Sequence, residues 1–203
     1  MQRTAGRVHE VFARRQTPGR ALVDSADAIA MACHAMSERF HGGGRLFTFG
    51  NGGAATDAQH IAVEFVHPVI VGKRALPALS LTGDVATLTG VGAMAGFDDV
   101  FAHQLRHFAE AGDIALGISP DGRCADVLRG LRTAKDSGLL TVALLGGDGG
   151  DIARAAVADH QVVVPSADPR VVKEVHVTTY HVLWELVHVF LEQPGVLAPE
   201  VIT

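Results

Sequence analysis

A chain of 203 residues, 48% of them hydrophobic, can bury one substantial core, so residues 1–203 are expected to form a single domain. Its 17 basic residues are scattered and outnumbered by 22 acidic ones, which argues against nucleic acid as a direct partner, because no cationic stripe can neutralise phosphates. Cys33 and Cys124 lie far apart with no Cys-x-x-Cys spacing, which argues against a disulfide framework and a cysteine zinc site and for a reducing, cytoplasmic setting.

Met1 to Arg20 mixes Arg, His, Glu and Gln without an apolar core, and no later stretch is apolar for long enough to span a bilayer, so no membrane partner is expected. Ala21 to Phe40 has helical spacing and stops at Gly42-Gly43-Gly44. The segment 1–41 is read as helical and as packing in an oligomer. Five short apolar runs then follow, each closed by glycine or a polar turn: Arg45 to Phe49, Ala78 to Leu81, Ile114 to Ile118, Thr141 to Leu145 and Gln161 to Val164. Their length and β-branched content predict strands. Thr56 to Val66, Val85 to Ala95, Asp98 to Ala111, Arg123 to Ser137 and Asp151 to Ala156 carry helical spacing between them. Strands alternating with helices predict an α/β fold, a parallel sheet with helices on both faces. The last helix, Pro169 to Leu191, is apolar around nearly its whole circumference, and such a helix must be buried on several sides. In a chain of this size that predicts a homo-oligomer built on the terminal helices.

Parallel sheets bind ligands beyond the carboxyl ends of their strands, and two turns there stand out. The first strand runs into Asn51-Gly52-Gly53 and straight into a helix. Glycines admit an anion to the backbone and a helix N-terminus offers it unpaired N–H groups; the same residues also suit a plain tight turn. The third strand runs into Ser119-Pro120-Asp121-Gly122-Arg123-Cys124, again opening a helix, so two helix N-termini are expected to converge on one crevice. Gly90 to Gly96 superficially suggests a nucleotide fingerprint, but its Gly-x-Gly-x-x-x-Gly spacing is wrong and it does not follow the first strand. No nucleotide cofactor is expected.

Gly50-Asn51-Gly52-Gly53 followed by Asp57-Ala58-Gln59-His60-Ile61-Ala62-Val63-Glu64 resembles the first motif of bacterial phosphoheptose isomerases. Gly96 to Phe101, Gly112 to Ser119, Gly146 to Gly150, and Glu174-Val175-His176 with His181 are similar to that family's later landmarks, in order. The resemblance implies a sugar-isomerase (SIS) fold with a five-stranded parallel sheet and an oligomer core of long terminal helices. It also implies a homotetramer that isomerises a sugar phosphate, sedoheptulose 7-phosphate or a relative, by proton transfer. Glu64 matches the family's base and His181 its acid, while Asn51, Gly52, Gly53, Ser119, Asp121, Gly122, Arg123 and Cys124 stand at its substrate-binding turns. His60 and Glu64 share one helix face, a spacing that suits a solvated contact or two metal ligands. The resemblance makes His60, Glu64 and His181 zinc ligands.

Several positions depart from the family pattern. Pro120 removes an N–H from the second turn, Asp121 adds a negative charge, and Cys124 replaces a hydroxyl. Arg123 is expected to offset Asp121, or to salt-bridge it on the surface. Ala54 and Ala93-Met94 replace polar residues of the family. Lys173 stands where zinc-containing members have a Gln ligand, and an ammonium opposes a divalent cation. The expectation is that its amine pairs with Glu64 in the metal's place, or points to solvent. These departures leave two further readings: a non-catalytic SIS sugar-phosphate sensor or assembly partner, and an isomerase of a different sugar.

Overall fold

Five parallel strands lie in the order β2-β1-β3-β4-β5: β1 (Leu46–Gly50), β2 (Ala78–Ser80), β3 (Ile114–Ser119), β4 (Leu140–Gly146) and β5 (His160–Val164). The computed structural model describes residues 2–193 and Leu197. Its helices are α1 (Gln2–Asp24), α2 (Ala26–His41), α3 (Gly53–Val66), α4 (Val85–Ala95), α5 (Val100–Phe108), α6 (Ala125–Asp136), α7 (Gly150–Arg154) and α8 (Pro169–Glu192). A 3-10 turn, Phe97–Asp99, leads into α5. No helix among the described residues is long and apolar enough to cross a membrane.

The three central strands are buried along their full length, which is why they read as unbroken apolar runs rather than alternating ones. Successive side chains still point to opposite faces. Leu46, Ile114, Leu116, Val142 and Leu144 pack under α2, α3 and α8, while Phe47, Phe49, Ala115, Ala143 and Leu145 pack under α5, α6 and α7. The first core also takes Tyr180, Leu183, Trp184 and Val187 of α8, with Val177, Val182, Leu186 and Phe190 packed against it from partly buried positions. The all-round apolar character of α8 is therefore accounted for largely within one chain.

Element boundaries correct several sequence expectations. The helix expected over Ala21 to Phe40 is two helices that meet at Ser25, whose N–H bonds back to the Leu22 carbonyl while its own carbonyl starts α2. The helix expected from Thr56 begins at Gly53, because Gly52 at φ +54 turns the chain and Ala54 N already bonds Asn51 O. The span Asp98 to Ala111 shortens to α5 behind its 3-10 turn, and the spans opening at Arg123 and Asp151 become α6 and α7. Gly90 and Gly92 lie inside α4 rather than at a strand-to-helix turn.

Two features set α8 in place. Asp168 caps it, accepting from Arg170 N at 3.0 Å and from the Arg170 guanidinium at 2.8 and 3.0 Å. Gly146, at the end of β4, lets that strand pass the turn after β3: a Cβ there would fall on the Pro120 carbonyl oxygen and lie 2.6 Å from Val172 Cγ1. Gly146→Ala is expected to cost about 3 kcal/mol, the upper range for overpacking, in urea denaturation. A variant as stable as the parent would show that β4 and Pro120 part easily. The Arg170 guanidinium, with help from the Arg170 N–H, holds the Asp168 carboxyl at about 2 against an ordinary 3.8. A depressed carboxyl favours the folded state above the unfolded value and loses that contribution as pH falls through the folded one. Thermal melts of Asp168→Asn should therefore fall less steeply than those of the parent between about pH 4 and pH 2.

Candidate active site

Glu64 and His60 sit one turn apart on α3, and α8 brings His181 to them. Glu64 Oε1 lies 3.1 Å from His60 Nε2 and 3.9 Å from His181 Nε2. The Glu64 side chain is 11% exposed, whereas the two imidazoles are nearly half exposed and form the open side of the cluster. Behind it, Tyr180 Oη lies 2.8 Å from His60 Nδ1, and Trp184 Nε1 donates to the Glu64 carbonyl oxygen at 2.9 Å. A sheltered carboxylate facing an accessible imidazole can move a proton between neighbouring atoms of a ligand. One ligand atom from each of His60, Glu64 and His181 lies within 4.8 Å of the others, and two imidazoles with one carboxylate are a usual catalytic set for zinc. The donor set fits such an ion.

Lys173 does not meet Glu64, contrary to the expectation from sequence. Its Nζ donates to Asp57 Oδ1 at 2.5 Å, Gly53 O at 2.8 Å and Thr56 Oγ1 at 3.3 Å. The contacts 57 with 173, 60 with 180 and 64 with 181 show α3 and α8 running in the same direction. Lys173 lies two turns before His181, roughly 12 Å along the axis, so it reaches the start of α3 and not Glu64. Its three protons face acceptors there, and the ammonium is turned away from the imidazole cluster. Asp57, only 5% exposed, is its buried counter-charge. Next to it, His176 is buried and bonds Leu145 O at 3.0 Å, and burial pushes its pKa down. Gly53, Asp57, Lys173 and His176 line a cavity of about 240 Å³.

The two turns at the sheet's carboxyl edge do converge. Asn51, Gly52, Asp121, Arg123 and Cys124 line one cavity of about 550 Å³, which shares Pro120 and Pro169 with the smaller one. Ser119 is fully buried at the end of β3. Gly122 faces elsewhere: at φ +70 it packs on the backbone of Gly149 and accepts a hydrogen bond from Ile152 N. Asp121 Oδ1 accepts from Arg123 N at 2.9 Å and from Ser119 Oγ at 3.4 Å. The Arg123 guanidinium does not pair with that carboxylate. It bonds Asp121 O at 2.9 Å and Asp148 Oδ1 at 3.0 Å, which corrects the expected surface bridge. The Cys124 thiol is half-buried, and burial pushes its pKa up, away from the thiolate form.

Sequence reasoning assigned no role to Asp57, Asp126, Tyr180 or Trp184. Asp126 is 3% exposed and takes both Asn51 Nδ2 contacts at 2.8 Å, tying the first glycine turn to the first turn of α6. Burial pushes its carboxyl pKa up, against the pull of Asn51. An acidic residue in the first turn of a helix was the available signal. Nothing in sequence signals which residue of α8 meets His60.

Comparison with known proteins places these features in a family. Residues 14–146 match the family model described as SIS domain. A phosphoheptose isomerase of Solidesulfovibrio magneticus is 40% identical over 187 residues, 92% of this chain and 89% of that protein. One from Pelobacter propionicus is 44% identical over 150 residues, 74% of this chain and 78% of the other. The structure of phosphoheptose isomerase GmhA from Neisseria gonorrhoeae superposes with a TM-score of 0.83 at 31% identity, covering 91% of this chain and 98% of that one.

The Lys173 clamp makes a separable prediction. Lys173→Met leaves Asp57 buried without its counter-charge and should cost roughly 2–3 kcal/mol in chemical denaturation, below the figure for a fully buried pair because Lys173 is half exposed. Adding Asp57→Leu should recover most of that loss. If the single variant is as stable as the parent, the clamp contributes nothing.

Proposed function

The chain belongs to the SIS-domain family and, within it, to the phosphoheptose isomerases, and from that premise we propose that it interconverts sedoheptulose 7-phosphate and a manno-heptose 7-phosphate. The observation that carries this reading is the meeting of Glu64 and His181, from helices far apart in the chain, at 3.9 Å on the open side of the α3 and α8 seam. Glu64 takes the proton from the carbon beside the carbonyl, and His181 supplies a proton to the carbonyl oxygen, leaving an enediol. Glu64 returns its proton to the neighbouring carbon while His181 recovers one from the other oxygen. His60, Glu64 and His181 would hold a divalent cation such as zinc, which polarises the sugar's carbonyl oxygen when bound. The sugar's phosphate is assigned to the cavity between Gly52 and Cys124, where α3 and α6 begin.

A homotetramer in the cytoplasm completes the proposal. Val8, Phe12 and Met31 are exposed apolar side chains on α1 and α2, and burying such surface between copies supports assembly through the N-terminal helices. The free thiols Cys33 and Cys124 suit a reducing compartment. A second reading, isomerisation of a sugar without phosphate, is favoured by Asp121, whose carboxylate accepts the Arg123 N–H that an anion would otherwise use.

Hydrogen exchange at C1 and C2 in deuterated water, followed by NMR, distinguishes these readings. Sedoheptulose 7-phosphate should exchange with the parent, and Glu64→Gln should slow exchange by about 10²- to 10⁴-fold without abolishing thermal stabilisation by the sugar. Exchange of the unphosphorylated heptose alone would favour the second reading. Stabilisation without exchange in the parent would make the protein a sensor.

A further inference from the structure

We propose that Asp126 is a positioning residue: it holds the Asn51 amide by its nitrogen and so turns the amide's oxygen toward the larger cavity, where that oxygen accepts a hydroxyl of the sugar. This rests on the reading of that cavity as part of the sugar site. Asp126 is 3% exposed in the first turn of α6, and each of its two oxygens lies 2.8 Å from Asn51 Nδ2. Its Oδ1 also accepts from Val127 N at 2.9 Å. The two ends of a side-chain amide are alike in shape, so packing alone does not choose which end faces a neighbour. A carboxylate does choose, because its oxygens only accept: they take the NH2 end and repel the carbonyl. The backbone N–H and the place at a helix N-terminus both favour the ionised form of Asp126 against the cost of burying it. The competing arrangement is an uncharged carboxyl with the amide reversed, and there one carboxyl oxygen would donate to the amide carbonyl.

Asn51 is half-buried and lines the cavity of about 550 Å³ with Gly52, Asp121 and Cys124. Its Oδ1 takes no hydrogen bond from the described residues, and no side-chain polar atom among them is both buried and unpartnered, so Oδ1 is left open to a ligand. A phosphate dianion offers only acceptors and is turned away from this oxygen, whereas a sugar hydroxyl donates to it. Asp121 brings a second accepting side chain to the same cavity. The side-chain wall is therefore built for hydroxyls, and the phosphate falls to the backbone N–H groups where α3 and α6 begin. With Asp126 removed the amide has no fixed orientation, and the acceptor is no longer presented.

The test uses the full chain labelled with ¹³C and ¹⁵N. In the free protein the side-chain NH2 pair of Asn51 should exchange slowly with water and couple through its hydrogen bonds to the Asp126 carboxylate carbon. Saturation with sedoheptulose 7-phosphate should move the side-chain carbonyl carbon of Asn51 and leave the NH2 pair in place. Asp126→Leu should raise KM about tenfold, the equivalent of one hydrogen bond, with kcat within about twofold, because the contact is made equally before and during the reaction. Asp126→Asn keeps an acceptor for the Asn51 nitrogen and should recover most of that KM. An NH2 pair that follows the sugar while the carbonyl carbon stays, or Asp126→Leu with the parent's KM, overturns the proposal. If Asp126→Leu does not fold, the parent's spectra decide alone. If the sugar phosphate neither binds nor turns over, the reading of the cavity as a sugar site fails and hydroxyl acceptance fails with it, while the spectra of the free protein still decide whether Asp126 orients Asn51.

Discussion

The seam between α3 and α8 is the constraint on which the rest of the site depends. Two helices separated by most of the chain run side by side in the same direction, joined at three levels. Lys173 bonds Asp57 and Gly53 at the start of α3, Tyr180 bonds His60, and Trp184 bonds the Glu64 carbonyl. Because both helices rise at the same rate per residue, one correct register brings all three levels together. His181 then faces Glu64, its ring packed edge-on against that of His60 and tilted against that of Tyr180. A slip of one residue would rotate α8 by about 100° and remove every one of these contacts together.

The sheet supplies the other half of the arrangement. Parallel strands end on one edge, so the turns after β1 and β3 must lie side by side. Asn51 and Asp126 join them through an amide that meets both oxygens of a buried carboxylate. Charge at this edge is paired locally: Arg123 with Asp148, Arg170 with Asp168, Lys173 with Asp57. An incoming anion would therefore rely on backbone N–H groups and helix termini more than on a free cation, and Asp121 competes for part of that set. Two of the residues at the second turn, Asp121 and Arg123, are held by internal contacts with Ser119 and Asp148.

The architecture was legible in the sequence because strand and helix patterns are local. All five strands lie where short apolar runs end in glycine or a polar turn, and alternation alone implied the parallel sheet. Helix ends were less legible. The Ser25 break falls between two stretches of helical spacing, and Ser25 with Asp27 in the next turn is the local signal of a new helix start. The resemblance named Glu64, His60 and His181, and the fold assembles them into one cluster.

Partner choice was not legible. Lys173 was expected at Glu64 and went to Asp57; Arg123 was expected at Asp121 and went to Asp148. In both cases composition names a charge but not its counter-charge, since that depends on the register of distant elements. The buried roles of Tyr180 and Trp184 were invisible for the same reason. By itself the sequence determined the sheet, the helices that cover it and the residues able to do proton chemistry, because these follow from apolar periodicity and residue type. Only the tertiary structure decided which donor faces which acceptor, because hydrogen bonds a few ångströms long are set by the packing of elements that the chain separates by 25 to 120 residues.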